Sequence, residues 1–158
     1  RTLWQRTRGR IGGGLAAVCA ALLAACGSSP LTQPDGPAAR PSASSATNAK
    51  DYRQDAARHL YQRNAQRIYL GKLPPMLYAI GVLEVQLQPN GHVRRLNWLR
   101  APRHAPEVIA EIERTVHAAA PYPAPSRVRG QLSYTDTWLW DRSGHFQLDT
   151  LTEGQRSN

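Results

Sequence analysis

Apolar residues recur along the chain with two kinds of spacing, one typical of helices and one typical of strands. Over residues 51–70 they fall on one helical face, and arginines occupy much of the rest. Gly71 and the Pro74-Pro75 pair then stop the helix. A second helical pattern begins at Pro106 and has glutamates on its outer side. The spacing therefore predicts one helix over 51–70 and another over 106–120.

Three further stretches have the patterns of strands. Residues 76–88 carry a mixed apolar pattern, which is typical of a central strand covered on one face. Pro89-Asn90-Gly91 predicts a hairpin turn into 93–99, because Asn-Gly accepts positive φ. Residues 127–141 alternate between apolar and polar side chains, which is typical of a half-buried strand. After a turn, residues 145–148 have the length of a short fourth strand.

The order of these elements is helix, strand, strand, helix, strand, followed by the short fourth strand. It indicates an α+β fold, with a small antiparallel sheet of three to four strands and two helices on one face. The third strand lies antiparallel to the first if it docks beside it. In that arrangement we expect the long third strand to offer an edge.

The amino-terminal part has the pattern of a secretory signal. Residues 1–10 contain four arginines and no acid, and 11–25 are apolar but shorter than the ~20 residues of a spanning helix. The run closes with Leu23-Ala24-Ala25-Cys26, which resembles the lipobox of bacterial lipoproteins. The resemblance implies cleavage before Cys26 and lipid, such as palmitate, on its thiol. An uncleaved anchor helix ending in an incidental cysteine is the alternative. Because Gly27 rather than Asp follows, the resemblance favours the outer membrane, facing the periplasm.

Composition divides the rest of the chain. Residues 28–50 are rich in Pro, Ser, Ala and Gly, and they have too few large apolar groups to offset the entropy of ordering. We therefore expect four parts. These are a signal peptide (1–25), a lipidated cysteine with a flexible linker (26–50), one domain (51–150) and a loose tail (151–158).

The charge of the chain limits its partners. The formal net charge is +9, and four arginines precede Cys26, so the remainder carries +5. This balance favours anionic partners such as acidic proteins, lipid headgroups or glycan polymers, although solvated charged faces explain it equally simply. Nucleic acid is excluded if the domain is exported.

The domain resembles the carboxy-terminal domain of the TonB and TolA superfamily over residues 52–141. The stretch Val85-Gln86-Leu87-Gln88-Pro89-Asn90-Gly91-His92-Val93 is similar to that family's strand–turn–strand signature. The helix from Glu107 to Ala120 ends in Ala120-Pro121-Tyr122-Pro123, similar to the family's Ala-Pro-aromatic-Pro stop, and Arg127–Trp140 falls where its last long strand falls. The resemblance implies the fold and partner binding through a sheet edge. A lipobox with a short tether, instead of a transmembrane helix and a long spacer, argues against energy transduction.

Catalytic patterns are not found in the sequence. The histidines lack metal-ligand spacing, and neither a nucleophile elbow nor a phosphate-binding glycine loop is present, so we expect no enzyme activity, no metal and no cofactor. Two candidate binding features remain, each with a simpler interpretation. Tyr134, Trp138 and Trp140 form either core or an aromatic stripe for a partner. Arg94 and Arg95, with Arg100 and Arg103, form either a solvated surface or an anionic docking patch around the hairpin end.

These observations lead to two hypotheses about function. The first is a lipid-anchored periplasmic protein-binding module that adds a partner segment to its sheet edge. The second is a structural envelope lipoprotein that holds an assembly or peptidoglycan at the outer membrane. Both make the membrane a partner through Cys26.

Overall fold

A computed structural model describes residues 41–157. The signal segment, Cys26 and most of the linker lie outside these residues. The elements, in chain order, are α1 (Ala49–Arg63), β1 (Ala79–Leu87), β2 (Val93–Arg100), α2 (Pro106–Ala118), β3 (Leu132–Trp140) and β4 (Phe146–Leu148), with 3-10 turns at Ala65–Arg67 and Asp149–Leu151.

The four strands form one antiparallel sheet in the order β2-β1-β3-β4. The prediction of an α+β fold with an antiparallel sheet is confirmed. β1 and β3 are the central strands and pair over nine residues, from Ala79 opposite Trp140 to Leu87 opposite Leu132. β3 therefore has β1 along one side, and on the other side β4 pairs with its last three residues, Trp138, Leu139 and Trp140.

Alternate residues of β1 and β3 form the floor of the core. The buried set on these strands includes Leu83, Val85, Tyr134 and Trp138, all on the face that the helices cover. Phe146 of β4 adds an aromatic contact, with its ring centroid 4.8 Å from that of Trp138. Because successive side chains of a strand point to opposite faces, the intervening polar residues lie on the outer face.

Each helix buries a stripe at four-residue spacing. On α1 the stripe contains Tyr52, Ala56 and Leu60, and on α2 it contains Val108, Ile112 and Val116. This spacing places side chains above one another on a single helix face. The side chain of Asn48 caps α1 by accepting a 3.0 Å hydrogen bond from the Asp51 amide. Pro106 begins α2, where its missing amide proton costs nothing.

A buried histidine joins the two helices. His59 of α1 lies on the inner face, and its Nε2 donates a 2.7 Å hydrogen bond to the Ala119 carbonyl, just after α2. Burial lowers the pKa of His59 below its ordinary value of 6.5. The neutral ring is therefore the form that fits the core.

A buried carboxylate joins the sheet to α1. Asp136 lies on the inner face of β3, where Arg53 of α1 donates to its Oδ1 at 2.8 Å. The backbone amides of Thr137 and Thr150 also donate to this oxygen. The same guanidinium reaches Asp149 at 3.1 Å. Because a buried charge without a partner is costly, this pairing explains how an aspartate is tolerated in the core.

Several elements are shorter than the sequence pattern predicts, and the largest differences are in α1 and β3. β1 covers Ala79–Leu87 instead of 76–88, and α2 ends at Ala118 instead of residue 120. α1 ends at Arg63 rather than at residue 70, because the following chain turns through the 3-10 helix and Ile68 then bridges Phe146 in an extended conformation. β3 begins at Leu132 rather than at residue 127. Gly130 has φ of +81°, a left-handed conformation that interrupts a strand.

Both ends of the described chain differ from the expected linker and tail. Before α1, Ser44 and Ala46 are buried, and the Ser44 amide donates to the Ala124 carbonyl at 2.9 Å. Residues 151–157 do not form the loose tail expected from the sequence, because Gln155 makes a parallel bridge to Leu73. These pairings are between residues far apart in the chain, so local composition does not reveal them.

The core belongs to one compact unit. The described residues 41–157 belong to a single unit, and every residue of the core cluster lies between Ala46 and Leu151. This part of the chain therefore contains the whole of its own apolar core, which is what independent folding requires.

We predict that Gly81→Ala destabilises the fold. A Cβ at this position would lie 2.7 Å from the Trp98 ring and 3.1 Å from the Pro102 ring. Overpacking of this kind costs about 1–3 kcal/mol, which urea denaturation measures. In a Trp98→Leu background the added methyl should cost at least about 0.5 kcal/mol less, because the obstructing ring is gone. Equal costs in both backgrounds would contradict this explanation.

We predict that His59 makes stability depend on pH near neutrality. Its folded pKa is lowered, so the unfolded chain binds the proton at higher pH than the folded chain. The stability is therefore complete above 6.5 and falls as the pH drops through that value. Thermal melts between about pH 7.5 and 5.5 should show a steeper loss for the wild type than for His59→Gln, which cannot titrate. Parallel pH profiles would show that His59 is not responsible.

Candidate binding surface

β2 is the open edge of the sheet. Over the described part of the chain it pairs with β1 on one side and has no strand on the other. It is eight residues long, and Arg94, Arg95 and Arg100 are exposed on it. It contains no acidic residue. An edge strand presents unpaired backbone N–H and C=O groups, so β2 can accept another strand.

The opposite edge is shorter and partly closed. β4 has three residues, and Ile68 makes a parallel bridge to Phe146 on it. The Tyr69 amide donates to the Phe146 carbonyl at 2.9 Å, which uses a group that an incoming strand needs. The expectation that the third predicted strand offers the edge therefore holds only in part. β3 is internal where β4 pairs with Trp138, Leu139 and Trp140, it has no strand beyond β1 over residues 132–137, and the longest free edge is β2.

A close contact between β2 and β1 fixes the inner face of the edge. The Trp98 ring packs over Gly81 of β1, where only a glycine leaves room for it. Its indole Nε1 donates to the Glu113 carboxylate of α2 at 2.8 Å. Trp98 therefore holds β2 against both the sheet and a helix, so this edge is preformed.

Hydrogen-bonded side chains cross the outer face beside β2. Asn97 donates to Glu84 at 3.1 Å, and Ser133 donates to the other oxygen of the same carboxylate. These two bonds, with that from Ser133 the larger cause, lower the pKa of Glu84. Near the hairpin end, Gln131 donates to Gln86 at 2.8 Å and accepts from Arg94. Glu84 is thus occupied by neutral donors and does not neutralise the arginines of β2 through an ion pair.

The structure separates the two groups of predicted site residues. Tyr134, Trp138 and Trp140 are 3%, 2% and 4% exposed and belong to the core. They do not form the aromatic stripe for a partner, because their parity on β3 faces the helices. Arg94 and Arg95 are exposed on β2, at the surface where the anionic docking hypothesis placed them.

The arginines follow the edge rather than surrounding one end of it. Arg94 and Arg100 are six residues apart on one strand, which corresponds to about 20 Å. Arg103 follows in the loop after β2 and is also exposed. The hypothesis of a cluster around the hairpin end is therefore replaced by a basic strip along β2. Four arginines and no acid between residues 93 and 103 were the signal in the sequence, but the strand order decides that they lie at an edge.

A groove adjoins the hairpin end of this strip. It has a volume of about 680 Å³ and lies between Gln88-Pro89 and the segment that leads into β3. Leu87, Val128 and Leu132 supply apolar walls, and Arg94 is its single charged lining residue. The groove is open and has no convergent set of titratable groups.

Other kinds of site are not found in residues 41–157. No group of three metal-ligating side chains is present there. No helix in this range is both long and apolar enough to cross a membrane. Comparison with known proteins finds no match for the chain among family models, curated proteins or solved structures.

Proposed function

We propose that this protein is a lipid-anchored binding module of the bacterial cell envelope. It recognises an extended, acidic segment of a partner protein by adding that segment as a strand to β2. The observation that carries the proposal is the open edge itself, eight residues long, with three exposed arginines and no acid. In strand addition the backbone groups supply affinity, and side chains on alternate positions supply specificity.

The positive charge of β2 determines which kind of partner segment can pair with it. A second copy of β2 would bring arginines close to arginines, and like charges on paired strands are destabilising. An acidic segment would instead face Arg95 and Arg100 with opposite charge, which also speeds association. The edge therefore disfavours self-pairing and favours an acidic partner.

The resemblances in the sequence support the location and the mode of binding. The lipobox-like stretch that ends at Cys26 supports attachment to the outer membrane, with the domain in the periplasm. The similarity to the TonB and TolA carboxy-terminal domain supports partner binding at a sheet edge. Both resemblances and the open edge of β2 support binding, which is the activity we propose.

We predict that the partner contacts β2. A photo-crosslinking residue at Asn97 in living cells should capture an acidic segment, whereas one at Gln62 on α1 should not. The captured segment, made as a synthetic peptide, should slow hydrogen exchange at amides 93–100 by forming ladder hydrogen bonds. The double variant R95E/R100E should weaken peptide binding by about tenfold in a salt-dependent way. R58E/R63E, which makes the same charge change at two exposed positions of α1, is the control. Protection of amides outside β2, or equal losses in both variants, would sink the strand-addition proposal.

We predict that Cys26→Ser releases the protein from membranes. The substitution removes the thiol to which lipid would attach, and two or more acyl chains are what gives stable anchoring. After a high-salt wash that removes protein held at the membrane by charge, fractionation of cells should find the variant in the soluble periplasmic fraction, with Cys19→Ser as the matched control. A variant that stays with the washed membrane would refute the lipid anchor without affecting the β2 proposal.

A further inference from the structure

Two exposed apolar side chains share one short loop. Among residues 41–157, four large apolar side chains are exposed: Leu70 at 84%, Met76 at 80%, Leu99 at 59% and Ile80 at 40%. The two most exposed lie six positions apart in the loop that precedes β1. We call residues Leu70–Met76 the apolar loop. A single exposed apolar side chain is ordinary on a protein surface, but two such side chains on one loop need a reason.

A buried glutamine holds this loop from within. Gln147 of β4 is buried, and its Nε2 donates to the carbonyls of Tyr69 and Gly71, both at 2.8 Å. Its Oε1 accepts from the Thr152 hydroxyl at 2.8 Å and from the Glu153 amide at 3.2 Å. The side-chain amide is therefore fully used in joining the apolar loop to the last described residues.

The carboxy-terminal residues hold the middle of the same loop. The amide of Leu73 donates to Gly154, and its carbonyl accepts from Arg156, both at 2.9 Å. The Leu73 side chain is completely buried below. Gln155 also donates to the Pro74 carbonyl at 3.2 Å. Pro74 and Pro75 have fixed φ, so the backbone has little freedom between these bonds.

Leu70 and Met76 are therefore exposed because hydrogen bonds fix the backbone of the loop that carries them. Surface loops are usually polar and mobile, and an apolar side chain on such a loop can fold back onto the protein. Here the hydrogen-bonded backbone keeps both side chains exposed. The loop is already ordered in the folded protein, so binding does not have to overcome the entropy cost of ordering it. Preformed apolar side chains of this kind suit insertion into an apolar medium.

Basic side chains flank the apolar loop. Lys72 lies within it, and Arg156 lies on the segment that pairs with Leu73; both are exposed. One exposed acid, Glu153, also lies at the loop, where its carboxylate accepts a 3.2 Å hydrogen bond from the Gly71 amide. Exposed apolar side chains beside basic ones match the chemistry of a membrane interface, with acyl chains below anionic headgroups.

We propose that the apolar loop is a membrane-docking element. Leu70 and Met76 enter the interfacial region of an anionic bilayer, and Lys72 and Arg156 lie at its phosphates. The inference rests on the proposed lipid anchor, which keeps a bilayer close. The chain between Cys26 and Pro41 can span at most about 50 Å, so the bilayer stays within reach of the domain.

Vesicle sedimentation tests the docking without the lipid anchor. The protein used begins at residue 26 and carries Cys26→Ser, so it retains the whole described domain and has no acyl chain. The protein should sediment with vesicles of phosphatidylcholine that contain about one-third phosphatidylglycerol. A smaller fraction of the protein should sediment with vesicles of phosphatidylcholine alone. L70S/M76S should lower the partition coefficient by about tenfold or more, because two buried apolar side chains are lost. K72E should lower the partition coefficient less than L70S/M76S does. Added salt should lower the partition coefficient of the wild type to the value found for K72E.

Ile80→Ser is the control, since Ile80 is an exposed apolar side chain of β1, outside both the apolar loop and β2. It should leave partitioning unchanged. An environment-sensitive fluorophore on Met76→Cys, the sole cysteine of that protein, should brighten on vesicle addition, whereas one on Ile80→Cys should not. Circular dichroism checks that each variant is folded.

No sedimentation of the folded wild type with the vesicles, an equal loss in I80S, or an equal signal from both fluorophores would overturn the proposal. These outcomes are distinct from failure of the proposed function, which is read from crosslinking at β2 and from the membrane fraction of Cys26→Ser.

Discussion

The pairing of β1 with β3 is the constraint on which the remaining structure depends. Nine consecutive residue pairs fix which side chains of both strands face the helices, and a slip by one residue would exchange the two faces. Both helices then cover the same face because the buried apolar side chains of these two strands are there. The pairing also places β2 at the edge, since β1 can accept only one more strand. The open edge that we propose as the binding site is therefore a consequence of how the centre of the sheet is formed.

Local patterns predicted those parts of the fold that local physics decides. The alternation from Leu132 to Trp140 predicts a half-buried strand, and Asn90-Gly91 predicts the hairpin. Gly91 has φ of +84° and contacts the Tyr122 backbone, which leaves no room for a side chain. The strand order, the bridge from Leu73 to Gln155 and the burial of Ser44 depend on pairing between distant residues. Composition therefore suggested a free linker and tail, whereas tertiary hydrogen bonds hold the described end of the linker and residues 151–157.

The basic character of the candidate site could be predicted from the sequence, but its position in the fold could not. Arg94 and Arg95 are basic in any fold, but their position on an open edge follows from the topology. The alternation showed that Tyr134 and Trp138 share one face of the strand. It did not show whether that face packs against the core or lies at the surface. Their burial is decided by α1 and α2, whose own apolar stripes need a covering surface. The simpler interpretation of an aromatic stripe as core is the one that the packing supports.

The hydrogen bonds around Gln147 also determine where the domain can be cut. A boundary at residue 150 looks natural from composition, because the segment after it is short and polar. Trimming there would remove Thr152, Glu153 and the segment that pairs with Leu73. The buried side-chain oxygen Oε1 of Gln147 would then lose both of its hydrogen-bond donors. The cut end is far from α1 in sequence, yet it would loosen the connection between α1 and β1. The last few residues thus act as a clasp for a loop about eighty positions earlier, and a fusion partner is best joined beyond them.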